Sequence, residues 1–268
     1  MRLFLPPTWM LLIGLVLAAL SSARSADAKP VLLYSRYFNA KGETRYLPDG
    51  SYKEVLTQLA SQFEVRVNEL PLTKETLKGV ALVLVANPSD KAVAGYPAPH
   101  HCSAVDVESL ARFVGDGGGL IVMGNQENHN LETADFNALL SAFGMKFESI
   151  YTDAKKIVLA DSVPIIGGLR WAYYTGNNLL LSPENAAKPR AIVSNDLAQK
   201  PISGTRDEAG VLLAAAESGK GRFIAVTDAG WISNDALSGK GIGGVAIRDH
   251  DNMEIFRRLA LWSIHSGK

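Results

Sequence analysis

One cysteine, Cys102, stands in the 268 residues, so no intramolecular disulfide can staple the fold. A chain of this length does not need one, because a domain of its size buries about 70% of its unfolded surface. A surplus of either charge is also missing. The 27 Lys and Arg residues balance 27 Asp and Glu, and neither sign forms a long block. That removes the basic field nucleic-acid binding requires and leaves a membrane-surface role unsupported. The sequence shows no internal repeat and no low-complexity tract. The five histidines include no H-x-x-x-H or H-E-x-x-H spacing, so no metal motif is present and no metal or cofactor is expected. A set of His101 and His129 with Asp228 or His250 is the one arrangement left for a metal.

Long hydrophobic runs are absent but for Trp9 to Leu20, which is shorter than the ~20 residues of a membrane-spanning helix. Arg2 precedes that run, and Ser21, Ser22, Ala23 and Ala26-Asp27-Ala28 follow it. A positive charge, an apolar stretch and an A-x-A site make a secretory signal. The rival is an uncleaved anchor; the small-residue cluster favours cleavage after Ala28. No cysteine ends the run to carry a lipid. The expected organisation is a signal peptide at 1–28 and a single domain at 29–268. A lone cysteine in an exported chain points to a periplasmic or secreted location, with no membrane span once the signal is removed.

Val80 to Val85 is an unbroken apolar run that stops at Asn87-Pro88, as in strands covered on both faces. Val31 to Tyr34, Leu120 to Met123 and Gly221 to Val226 read the same way. Phe63 to Val67 alternates and predicts an edge strand, and Met145 to Glu148 predicts another. Helices are expected after a cap at Asp49 or Ser51, over Thr73–Lys78, after Ser103, after Thr133, and from about Asp251 to Ile264. Between residues 150 and 215, four short apolar runs predict an antiparallel insertion or sheet extension. Strands alternating with helices specify an α/β fold with a doubly wound, mostly parallel sheet of flavodoxin-like type.

Three stretches carry a resemblance. The first runs from Val31-Tyr34 to Ser51-Tyr52, Leu56 and Leu59. The second runs from Ala81-Leu84 through Phe113-Val114 and Gly117-Gly118-Gly119-Leu120 to Phe136-Asn137. The third joins Gly219-Lys220-Gly221-Arg222-Phe223, Thr227-Asp228, Trp231-Ile232, Asn234 and Asp251-Asn252. Their order and spacing resemble the class I glutamine amidotransferase-like domain of exported bacterial proteins. Trehalose-utilisation-type and gliding- or intraflagellar-transport-type domains are related to it. The resemblance implies a cysteine on a tight turn after a central strand, with a histidine and a glutamate near the end. Here that turn reads Gly124-Asn125-Gln126-Glu127, and Cys102 lies upstream in a loop before a helix. Glutamine amidotransfer is therefore not expected.

Ligands of doubly wound sheets bind outside the carboxyl ends of the strands. The residues following the buried strands nominate Arg36, Tyr37, Asn87, Asn125, Gln126, Trp231 and Asn234 as ligand-binding groups. The plain alternative is that polar loop ends serve as turns and caps. Amide, carboxylate and aromatic groups together suit a sugar or glycan. The expected function is an exported ligand- or partner-binding domain recognising carbohydrate or an envelope protein. An alternative is a hydrolase or lyase acting on an extracellular sugar derivative, with Glu127, His129 and Asp228 as acid–base groups. A second alternative is a structural subunit of an envelope assembly. Gly239 to Gly244 satisfies G-x-G-x-x-G, but it does not follow a strand directly and no obvious helix opens after it, so it reads as a flexible, lid-like loop over the rim and not a phosphate cradle.

Overall fold

The computed structural model describes residues 28–265. The signal-peptide reading falls on residues 1–27, outside that range, save for Ala28. No helix of the described residues is long and apolar enough to cross a membrane.

Eleven strands form among the described residues: β1 (Val31–Ser35), β2 (Glu64–Asn68), β3 (Val80–Ala86), β4 (Gly119–Met123), β5 (Met145–Thr152), β6 (Lys155–Val158), β7 (Arg170–Tyr173), β8 (Gly176–Leu181), β9 (Arg190–Ser194), β10 (Val211–Ser218) and β11 (Gly221–Val226). The main sheet runs β2-β1-β3-β4-β11-β10-β8-β5, with β9 also on β10. From β2 to β11 every pairing is parallel; from β11 outward every pairing is antiparallel. The expected edge strands β2 and β5 do stand at the two ends of the sheet. The 150–215 region supplies the antiparallel extension and, in addition, a separate β6–β7 ribbon.

Five α-helices form among the described residues: α1 (Lys53–Leu59), α2 (Ala104–Gly115), α3 (Phe136–Ala142), α4 (Asn234–Leu237) and α5 (Asn252–Ser263). Successive strand side chains point to opposite faces, which divides each apolar run between two cores. Leu32, Leu82, Leu84, Ile121, Ile224 and Val226 face α1, α5 and the ribbon, whose Ile157, Trp171 and Tyr173 join that core. Leu33, Val83, Val85, Leu120, Val122 and Phe223 face α2 and α3. Burial on both sides is why these strands read as continuous hydrophobic runs.

Ser103 caps α2 in a reciprocal capping box with Asp106. Two other expected caps are replaced. The Ser51 hydroxyl accepts from the Tyr46 N–H, and the Glu54 N–H in the first turn of α1 donates instead to Asn234 Oδ1 at 2.9 Å, from 180 residues away. At α3 the Glu132 carboxylate, not Thr133, accepts from the Asp135 and Phe136 N–H groups, both at 2.8 Å. The helix expected over Thr73–Lys78 is a series of turns. So short a helix nucleates poorly, and the Thr76 hydroxyl bonds the Pro71 and Thr73 carbonyls, competing with helical pairing. The β2–β3 crossover therefore lacks a helix, and an 880 Å³ groove lies between it and α2, lined by Leu72, Leu77, Val105 and Phe113 among others.

Candidate functional site

The carboxyl ends of β1, β4 and β11 and the end of β7 open onto one cleft of about 390 Å³. The loop after β1 contributes Thr44, Arg45, Tyr46 and Ser51. Asn125 and His129 come from the turn after β4, which winds into a short 3₁₀ turn at Glu127–His129. Tyr174 and Thr175 follow β7; Asp228, Gly230, Ser233 and Asp235 follow β11, and Gly241 to Gly243 complete the wall. The loop read as a possible lid thus borders the cleft. Gly241 has φ +90°, and a Cβ there would lie 1.9 Å from the Val245 carbonyl oxygen, so only glycine fits the turn.

Three residues expected on the rim meet here: Asn125, His129 and Asp228. Asn125 Oδ1 accepts from the Gln126 N–H at 2.8 Å and lies 2.9 Å from His129 Nδ1; its Nδ2 donates to the Tyr46 hydroxyl at 2.6 Å. Burial lowers the His129 pKa below its usual value, and the positive Arg45 and Arg206 add to the effect. The neutral imidazole is thus favoured near pH 7. Asp228 is buried, and its carboxylate accepts from the Tyr174 N–H at 2.9 Å and the Gly230 N–H at 2.6 Å. Desolvation outweighs these donors and pushes its pKa up to about 7. Burial would also raise Glu43, yet its pair with Arg45 holds it below the usual carboxylate range. Tyr46 sits at φ +58°, a left-handed conformation uncommon for a side chain of this size. Its hydroxyl also titrates above the ordinary tyrosine value because it is buried.

The other nominated residues support the cleft or lie apart from it. Arg36 is nearly buried and donates to the Arg45 and Glu43 carbonyls, both at 3.2 Å, holding the loop that delivers Arg45 and Tyr46. Asn87 donates from Nδ2 to the His129 carbonyl at 3.0 Å and steadies the turn from below. Gln126 accepts through Oε1 from Arg206, which also grips Asp153. Tyr37 stacks on His100 and lines the α2 groove instead. Trp231 is fully buried between Trp171 and Phe256, where its apolar ring belongs to the core. Asn234 is occupied as the remote cap of α1 and also donates to the Gly50 carbonyl. Glu127 lies on the 3₁₀ turn; its side chain is outside the described residues. Arg45, Tyr46, Tyr174 and Thr175 are cleft residues the sequence reading did not nominate. For Arg45 and Tyr46 the signal was available, since they lie in the loop after the first buried strand.

The combination of His101 and His129 with Asp228 or His250 does not form. His101 bonds Asp135 and the Asp90 carbonyl, and His250 bonds the Ala236 carbonyl. His101, Glu132 and Asp135 do lie together, with one potential ligand atom each within 4.8 Å of the others. Both Glu132 oxygens there cap α3. Cys102 is buried in the core beside α2, and burial, with Asp106, Glu132 and Asp135 nearby, pushes its thiol up to about 12. Such a thiol holds almost no nucleophilic thiolate at neutral pH.

No family model and no curated protein matches this chain. Solved structures do. The mmIFT52 N-terminal domain is similar with TM-score 0.62 and 18% identity, over 87% of this chain and 97% of that one. A ThuA-like protein from Bacteroides uniformis is similar with TM-score 0.50 and 12% identity, over 90% and 95% of the two chains. The cold-adapted β-galactosidase from Rahnella sp. R3 is similar with TM-score 0.50 and 13% identity. There the match spans 96% of this chain but only 34% of the enzyme. At these identities the likeness establishes the shared fold.

Proposed function

We propose that this protein is an exported binding domain that holds a neutral, hydroxyl-rich ligand, a sugar or glycan, in the cleft at the strand ends. The observation that carries the reading is the meeting of Asn125, His129 and Asp228 with Arg45 and Tyr46 around one cleft. The cleft carries hydrogen-bonding groups without being strongly charged: Glu43 neutralises Arg45, His129 favours its neutral form, and Asp228 titrates near neutrality. Its volume of about 390 Å³ lies within the ~300–1,000 Å³ of small-ligand sites. The β-galactosidase acts on sugars, but the sugar reading here rests on the cleft. Thermal-shift and calorimetric screening against monosaccharides, oligosaccharides and cell-wall fragments tests it. Silence across that panel would overturn it.

One observation favours the second reading, a hydrolase or lyase on an extracellular sugar derivative. A neutral imidazole and a carboxyl titrating at about 7 share the cleft, which suits acid–base exchange at neutral pH. If turnover of a sugar derivative is found, His129→Ala and Glu127→Gln must abolish it while leaving the fold intact. A structural role in an envelope assembly would draw on the α2 groove, where Val105 is 73% exposed. An unchanged set of envelope partners in a Val105→Glu variant would count against it.

A further inference from the structure

The Asn125 amide decides which nitrogen of the cleft-lining His129 carries its hydrogen. A backbone N–H can only donate, and that of Gln126 meets one end of the Asn125 amide at 2.8 Å, so that end is the carbonyl oxygen. The same oxygen lies 2.9 Å from His129 Nδ1. An amide oxygen cannot donate, so Nδ1 carries the hydrogen. In the neutral ring Nε2 is then a bare acceptor. At the other end of the amide, Nδ2 donates to the Tyr46 hydroxyl oxygen at 2.6 Å. That oxygen accepts in this contact, so its own hydrogen is left to donate elsewhere. A tyrosine hydroxyl keeps its hydrogen at neutral pH in any case, and burial raises the Tyr46 pKa further.

We propose that Tyr46 and His129 are the specificity-determining pair of the cleft, reading ligand hydroxyls that accept from the Tyr46 Oη–H and donate to His129 Nε2. Both residues line the same cleft and hang from the same amide, so Asn125 is the positioning residue for the two. The inference rests on the carbohydrate-binding reading and names the ligand group that reading requires. A carboxylate offers only acceptors and leaves Nε2 facing a lone pair. An ammonium offers only donors and opposes the Tyr46 hydrogen. A hydroxyl satisfies both, from one oxygen or from neighbouring oxygens of a sugar.

The test uses the whole protein with ¹⁵N-labelled histidine. Long-range ¹H–¹⁵N correlations at mildly alkaline pH report which His129 nitrogen is protonated. D-glucose, D-galactose, D-mannose and sorbitol are then titrated in. The Nδ1–H form is expected in the free protein, with the Nε2 resonance moving as a sugar binds. Tyr46→Phe should keep that tautomer, because the Gln126 N–H still orients Asn125, and should weaken sugar binding about three- to tenfold, the value of one hydrogen bond. A bound sugar with the Nε2–H form, or with undiminished affinity in Tyr46→Phe, overturns this assignment alone. Silence from all four probes with the Nδ1–H form present overturns the carbohydrate reading and the hydroxyl assignment with it. The tautomer measurement needs no variant, so a misfolded Tyr46→Phe leaves it decisive.

Discussion

Lys155 places its ammonium 2.6 Å from the Asp207 carboxylate, with its side chain wholly withdrawn from solvent. Asn195 Oδ1 at 2.7 Å and the Asp196 carbonyl at 3.0 Å take its other hydrogens. Three donors meet three acceptors, and the β6–β7 ribbon is thereby fastened to the loop between β9 and β10. Breaking such a pair from one side strands a buried charge, which costs on the order of 3–5 kcal/mol. Asp207→Ala is expected to lose far more stability in urea unfolding than Lys155→Met, because the Asp207 carboxylate left by the latter is partly exposed and keeps Asn195 Nδ2 and Lys200 beside it. Equal losses would contradict this account.

Asp228 makes stability fall as pH rises. Its folded pKa of about 7 exceeds the ordinary 3.8, so the unfolded chain ionises first. The stabilisation is complete below pH about 4 and is lost as pH rises through about 7. His129 and His250, both lowered mainly by burial, act in the opposite direction, losing stability as pH falls through their unfolded range. The difference between wild type and Asp228→Asn isolates the aspartate. Thermal unfolding across that window should give a shallower decline with rising pH in the variant. Parallel curves would show that Asp228 ionises as readily in the folded state as in the unfolded one.

Two glycines of the cleft wall should respond differently to alanine. At Gly241 the new methyl meets the Val245 carbonyl oxygen at 1.9 Å, whereas at Gly243 (φ +59°) nothing lies within 4 Å. Gly243→Ala should cost only the left-handed backbone penalty of roughly 1–2 kcal/mol. Gly241→Ala must distort the turn and should also weaken any ligand bound in the cleft. Comparing calorimetric affinities with melting temperatures for both variants checks this; indistinguishable variants would refute it.

Trp231 is expected to behave as a core residue. Trp231→Ala should destabilise the fold by about 3–5 kcal/mol, and Trp231→Phe by much less. Ligand affinity in a folded Trp231→Phe should match wild type. A selective loss of binding with unchanged stability would return this side chain to the cleft.

The parallel half of the sheet was legible because β1, β3, β4 and β11 are buried on both faces and leave unbroken apolar runs. Strand β7 left little mark: Arg170-Trp171-Ala172-Tyr173 is four residues long, and its Trp171 and Tyr173 are covered by segments distant in sequence. Caps were misread where the partner is tertiary, as when Asn234 serves α1. The rim rule found Asn125, His129 and Asp228, yet it could not tell a side chain facing the cleft from one turned inward. Trp231 and Asp228 are three residues apart; one fills the core and the other reaches the cleft wall. Arg36 and Arg45 share a loop, and only the fold shows which one lines the cleft and which holds the loop's carbonyls.

The Tyr52 hydroxyl donates to the Ala229 carbonyl across 177 residues, and Asn234 bonds the backbone at Gly50, Ser51 and Glu54. The loop after the first strand and the segment after the last strand are thus zipped to each other. The cleft lining spans residues 44 to 243, so no truncated chain that stops short of Gly243 has a complete cleft. Tyr46 and His129 come from the early part of the chain, and the residues from Asp228 to Gly243 that face them come from the late part.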